Sequence, residues 1–205
     1  NAIDEIYKDT DKADTRSRRI LFFPAGTYRI NAALKIPPYA HLVGEGPDKT
    51  IIRNSGNNSV MVTQDNAGNV GDDITAQVNQ IQISNLTIRN TVAYAGVSLD
   101  KAKEVYFNNV KFQGSYASGG ADVSASKGLT VTSSTALPCE KLYFNHCQFT
   151  KFARLVDMSF DATNVRFHNC DFSTAYYGAL IGDEWDSSTS NGMTVGPRDV
   201  QFTGS

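Results

Sequence analysis

The chain has 205 residues, 40% of them hydrophobic, with a formal net charge of −2 and a sequence pI near 5.9. That balance supplies no basic field for a nucleic-acid partner, no run of 18 apolar residues offers membrane insertion, and no signal peptide stands at the start. Val, Ile, Phe and Tyr together make up more than half of the hydrophobic residues while Met is rare, which favours strands and a single core.

In chain order, Ala2, Ile3, Ile6 and Tyr7 fall at helical spacing, and a polar stretch without periodicity follows to Arg19. Residues 1–19 therefore read as a short N-terminal capping helix and loop, and residues 20–205 as the main domain. Residues 20–23 form a first buried strand, turned by Pro24, Ala25 and Gly26. Tyr28 and Ile30 begin a second strand, Leu34 and Ile36 a third, and Leu42 and Val43 lead into a bend at Gly44, Glu45, Gly46 and Pro47. Gly44-x-Gly46 lacks the third glycine and the following helix of a phosphate cradle, so it reads as a tight bend. The stretch from Gly68 to Asp73 lacks calcium-loop spacing and reads as a flexible excursion.

Further on, one pattern recurs: IQISNLTI from Ile81, VYFNNVKF from Val105, LYFNHCQF from Leu142, VRFHNCDF from Val165 and a shortened VQF from Val200. Successive copies start 24, 37, 23 and 35 residues apart, the longer intervals implying inserted loops. Each copy is strand, polar bend, strand. Period-two alternation places Val105, Phe107, Val110 and Phe112 inside and Tyr106 and Lys111 outside. Second strands are expected at GVSLD from Gly96, RLVDMSFD from Arg154 and GALIGDEW from Gly178. Stacking such units gives an all-β, single-stranded parallel β-helix with about 4.8 Å between coils. Asn85, Asn109, His146 and Asn169 share one bend register, where short polar side chains tolerate left-handed backbone and bond between coils. Because the chain starts without Met and ends one strand into a repeat, it reads as a segment of a longer protein.

The three cysteines are Cys139, Cys147 and Cys170. Cys147 and Cys170 hold one inward position in neighbouring copies and read as stacked buried thiols; an odd count points to folding in a reducing compartment. A metal site from His146, Cys147, His168 and Cys170 fails on parity, since adjacent strand residues face opposite ways, and no metal or other cofactor is expected. The sequon Asn85-Leu86-Thr87 sits on the bend register, which speaks against glycosylation there.

The stretch from Arg19 to Arg53 resembles the N-terminal signature of the pectate-lyase-like superfamily of phage tailspikes and related polysaccharide-degrading proteins. An apolar run ends in Pro24-x-Gly26-x-Tyr28, and Gly44-x-Gly46 is followed by Thr50 and Ile51. The resemblance implies a right-handed β-helix capped by a helix such as residues 1–7. It also implies a phage tailspike or tail-fibre segment that is homotrimeric, joined to other virion tail proteins and folded in the host cytoplasm. Its partner would be bacterial surface polysaccharide, bound and in some members cleaved. A secreted polysaccharide lyase or glycoside hydrolase, and a non-catalytic adhesive virion protein, are the alternatives. The Gly-His-Gly and Arg-x-Lys marks of plant-type polygalacturonases are absent, as is the acidic calcium cluster of pectate lyases.

Candidate chemistry lies between Arg154 and Asp186. Aligning RLVDMSFD with ALIGDEWD sets Asp157 opposite Gly182 and Asp161 opposite Asp186, which would bring two carboxylates about 5 Å apart, the separation of a retaining glycosidase pair. Asp161, Asp186, Asp183 and Glu184 are the candidate catalytic residues, the last two because GDEWD breaks the alternation. Trp185, Tyr176 and Tyr177 are candidates for stacking on sugar, and Arg154 for an acidic sugar. The competing reading makes these turn carboxylates, with Trp185 packed inward.

Overall fold

The computed structural model describes residues 3, 19–134, 136–158, 162–182 and 197–205. Eighteen strands follow one another in these segments. They are β1 (Ile20–Phe23), β2 (Gly26–Ile30), β3 (Leu34–Ile36), β4 (His41–Gly44), β5 (Thr50–Asn54), β6 (Met61–Thr63), β7 (Val78–Asn79), β8 (Gln82–Asn90) and β9 (Val97–Asp100). Then come β10 (Ala102–Gln113), β11 (Lys127–Thr132), β12 (Cys139–Asn145), β13 (Gln148–Thr150), β14 (Arg154–Met158), β15 (Ala162–His168), β16 (Asp171–Ser173), β17 (Tyr177–Ile181) and β18 (Arg198–Thr203).

Every ladder between named strands is parallel, and each strand pairs with its counterpart one coil away. Parallel strands joined this way cross over right-handedly, so the fold is a right-handed parallel β-helix. Strands β17, β14, β11, β9, β6 and β3 make one face. The other sheet folds into two faces, because β8 and β10 run through the bend while β12–β13 and β15–β16 break at it.

The inward set is as the alternation predicts. Val105 stacks on Leu142, Phe107 on Phe144 and Phe112 on Phe149, all buried. Phe107, Phe144, Phe167 and Phe202 form one column of nearly parallel rings with centroids 5.1, 4.7 and 4.7 Å apart. Phe112, Phe149 and Phe172 form another at 4.4 and 5.1 Å. Cys147 and Cys170 are buried free thiols in the same interior.

The bend residues Asn85, Asn109, His146 and Asn169 all have left-handed backbone, with φ of 56°, 54°, 53° and 50°. Asn109 Nδ2 donates to Asn85 Oδ1 at 2.9 Å, linking two coils. A second left-handed register, unforeseen in the sequence, runs through Gln80, Glu104, Lys141, Asn164 and Asp199, with φ between 55° and 60°. Gln, Glu and Lys there carry a conformational cost of about 1–2 kcal/mol each, offset by cross-coil polar contacts. Gln80 Nε2 donates to Glu104 Oε2 at 3.1 Å and Lys141 Nζ to Glu104 Oε1 at 3.0 Å.

The Pro24-to-Thr50 signature has a physical basis. Tyr28 Oη donates to Pro24 O at 3.0 Å, closing the first turn. The buried Thr50 hydroxyl accepts from Glu45 N at 2.9 Å and donates to Phe23 O at 3.1 Å, tying the Gly44 bend to the coil below. At Gly44 a Cβ would lie 2.3 Å from Asn85 O, so no side chain fits between the coils.

Four expectations change. Strand β1, expected to be buried, ends its sheet with Ile20 63% and Phe22 52% exposed. Strands β5, β6, β7 and β11 were not anticipated, and β11 together with the loop 114–126 fills the 37-residue interval. The stretch 68–73 is organised rather than loose: Asp65 accepts from the backbone N of Ala67, Asn69 and Thr75 at 2.9–3.0 Å, and residues 71–73 form a 3-10 turn. Finally, β14 pairs with β17 as Arg154↔Tyr177, Val156↔Ala179, Asp157↔Leu180 and Met158↔Ile181. The offset is 23 residues rather than 25, so Asp157 stands opposite Leu180 and not Gly182. An even shift leaves every side chain on its expected face, which is why alternation alone did not expose it. The expected helix of residues 1–7 lies outside the described residues apart from Ile3, which is buried in the core cluster.

Candidate functional site

The face made by β9, β11, β14 and β17 carries an open cleft of about 380 Å³ on its outer side. Ser98 and Thr130 line it and belong to a register row in which Val62, Ser98, Thr130, Asp157 and Leu180 follow one another across the coils. Ser59, Tyr94, Lys127 and Arg154 complete the lining, with Ser124 and Ala125 of the inserted loop at the rim. The loop leaves β10 at Gly114, where a Cβ would lie 2.1 Å from Lys151 O.

Asp157 is the most buried charge here, at 3% exposure. A carboxylate so placed needs compensation, and two cations provide it: Lys127 Nζ lies 3.0 Å and Arg154 Nη1 3.4 Å from Asp157 Oδ2. Arg154 also grips Asp122 of the loop, through Nη2 at 2.8 Å and Nε at 3.3 Å. The hydrogen bonds from Arg154 hold the Asp122 carboxyl below its ordinary pKa, and Asp122 raises that of the guanidinium. The Arg154 guanidinium lies 5.9 Å from the ring centre of Tyr177. With these donors engaged, Arg154 positions the loop, Asp157 and Tyr177 together.

Two further groups belong to the floor. The Thr130 hydroxyl oxygen is buried with no hydrogen-bond partner among the described residues, a polar atom that a ligand hydroxyl would satisfy. Ser98 Oγ donates to Asp100 Oδ2 at 3.1 Å, and Thr132 Oγ1 donates to Asp100 Oδ1. Burial, outweighing the Ser98 hydrogen bond, raises the pKa of Asp100. Asp100 and Asp157 are two coils and two residues apart, about 12 Å at Cα, so these two carboxylates are not the near pair of a retaining glycosidase.

Of the residues singled out in the sequence, Arg154 is at the cleft, and Tyr177 and Tyr176 stand beside it, 40% and 50% exposed, with rings 4.7 Å apart edge to face. Asp161, Asp183, Glu184, Trp185 and Asp186 lie outside the described residues, and so does the Asp161–Asp186 pairing. Sequence reasoning passed over Asp157, Lys127 and Thr130. The available signal was an acidic residue in mid-strand whose register partners are Ser and Thr.

A family model described as rhamnogalacturonase A/epimerase, pectate lyase-like, matches residues 1–200. No curated protein sequence matches the chain. Among solved structures, ORF18 of Geobacillus virus E2 superposes with a TM-score of 0.50 at 15% identity, over 90% of this chain and 40% of that one. A pectin methylesterase mutant in complex with a hexasaccharide superposes with a TM-score of 0.38 at 13% identity, over 90% of this chain and 56% of that one. The chain thus spans two-fifths of the phage protein's length, and likeness at such identity speaks to fold. The family match covers nearly the whole chain, which belongs to the pectate lyase-like rhamnogalacturonase A/epimerase family.

Proposed function

We propose that the chain is the polysaccharide-recognising β-helix of a phage tailspike or tail fibre, and that it binds bacterial surface polysaccharide in the lateral cleft. The observation that carries this reading is the cleft with its surroundings: a Thr130 hydroxyl with no hydrogen-bond partner among the described residues, next in register to the charge-compensated Asp157, with exposed Tyr94 in the lining and Tyr177 nearby. Sugars present hydroxyls to such acceptors and apolar ring faces to such aromatics. Family membership supports a carbohydrate ligand, and a fold shared with a phage protein is consistent with a virion setting. In this reading the chain works as a homotrimer attached to other tail proteins, and any cleavage falls to Asp161 with Asp183, Glu184 and Asp186.

The test is retention of the intact protein on capsular or O-antigen polysaccharide of candidate host bacteria in affinity electrophoresis. Tyr177→Ala is expected to weaken retention about tenfold, the effect of losing one aromatic contact of roughly 1.4 kcal/mol. Unchanged retention in both Tyr177→Ala and Thr130→Val would remove the cleft from the proposal. Sizing the polysaccharide after incubation with the protein and with Asp161→Asn decides whether the chain also cuts.

A further inference from the structure

On a different face of the solenoid, β2, β5 and β8 bring three arginines into one column: Arg29 pairs in register with Arg53, and Arg53 with Arg89. Their guanidinium groups leave neighbouring strands about 4.8 Å apart. Arg29 is exposed, and Arg53 and Arg89 are half-buried. None of the three makes an ion pair with a described residue. The column continues as Gln113, Thr150 and Ser173; Arg89 Nε donates to Gln113 Oε1 at 2.6 Å, a neutral acceptor that removes no charge. Arg53, between two cations, has a buried Nε with no hydrogen-bond partner among the described residues.

Elsewhere on the surface the fold neutralises its charges along the same direction. Lys103 faces Glu140 at 2.8 Å, Lys141 faces Glu104 at 3.0 Å and Arg166 faces Asp199 at 2.7 Å. The arginine column departs from that habit in three successive coils, where like charges repel one another and the middle side chain lacks a partner. An anion laid along the column would relieve both defects, since each guanidinium fork matches a carboxylate.

We propose that the Arg29–Arg53–Arg89 column is a second binding face, whose ligand is a linear acidic polysaccharide lying along the solenoid axis with its carboxylates on successive arginines. The column is one residue wide and straight, which suits a polymer bearing one charge per repeat. A second copy of this chain does not supply the complement, because no register among the described residues stacks three carboxylates. Duplex nucleic acid is disfavoured by the net charge of −2. The inference is independent of the lateral cleft, which lies on another sheet.

The experiment is titration of the intact protein with alginate oligosaccharides, neutral dextran oligosaccharides and a DNA duplex of matched charge, at low and high salt. Alginate is expected to bind at low salt and weaken as salt rises. Arg53→Gln and the exposed-site variant Arg29→Gln should each reduce its affinity about tenfold, while Lys35→Gln, which removes an exposed charge on β3 outside both the column and the cleft, leaves it unchanged. Arg53→Gln should also raise Tm without ligand, because it removes repulsion and an unpartnered donor. Absence of alginate binding, or alginate binding indifferent to both arginine variants, overturns the proposal. So does equal binding of the DNA duplex through the same arginines, since it would show a charge site with no preference for polysaccharide. A failure of dextran or surface polysaccharide to reach the cleft bears on the proposed function and not on the column.

Discussion

Phe107 sits where two aromatic columns meet, stacked on Phe144 at 5.1 Å and tilted against Phe112 at 5.3 Å. Truncating it removes both contacts from a site with no exposure, so Phe107→Ala is expected to cost about 3–5 kcal/mol. Lys111 lies on the same strand facing outward, 3.8 Å from an almost fully exposed Asp48, and Lys111→Ala should change stability by less than about 0.5 kcal/mol. Urea denaturation of both variants checks the assigned parity, which fails if the two lose equal stability. Asp100 makes a prediction with a definite sign. Burial raises its folded pKa above the ordinary 3.8, so the folded state binds its proton more tightly than the unfolded chain does. The stability that this protonation confers is complete below pH 3.8, and it is lost as pH rises through the raised folded value. Asp100→Asn should therefore raise Tm at pH 7 and give no gain at pH 3, and a scan of Tm against pH reads it directly.

At the scale of elements, the repeating strand–bend–strand segments were legible because burial on one face forces strict alternation and because Asn announces left-handed backbone. The second bend register was not legible: Gln80, Glu104 and Lys141 adopt the same backbone without the residue types that usually mark it. Strand β11 hid in KGLTVT, where Gly and Thr blur the apolar pattern and a 13-residue loop precedes it. The β14–β17 offset was missed by two residues because parity survives an even shift. The cleft was half legible. Arg154 and Tyr177 were named from their own strands, whereas Asp157 acquires its meaning from Lys127, a coil away, and Thr130 from what it lacks. Inter-coil fit also decides where glycine is compulsory. Gly44→Ala, with backbone 2.3 Å from the new Cβ, should cost about 1–3 kcal/mol as overpacking, while Gly178→Ala, with nothing within 4 Å, should be nearly neutral. Thermal melts of the two variants compare them.

For the molecule as a whole, every ladder joins strands from different coils, so folding proceeds through non-local pairings and is expected to be slow, with each coil stabilised mainly by its neighbours. The thiols report whether that interior stays closed. Burial pushes Cys139 up to about 12 and raises Cys147 as well, while the hydrogen bond with Cys147 lowers Cys170, which complete burial keeps from reagents. A disulfide-exchange reagent should find none of the three reactive in the native protein at neutral pH and all three after denaturation; a single reactive thiol after denaturation would mean that two are oxidised. The intervals between repeats carry a last consequence. Coils separated by 23 and by 37 residues stack in the same register, because the surplus leaves at Gly114 and returns at Ser126, where Ser126 O accepts from Arg154 N at 2.9 Å. The cleft wall is thus an insertion that leaves the stacking of the coils undisturbed. In the proposed reading of the cleft, recognition would change with residues 115–125 alone, provided the incoming segment restores a carboxylate for Arg154, and one loop rather than the fold would set the barrier to changing ligand.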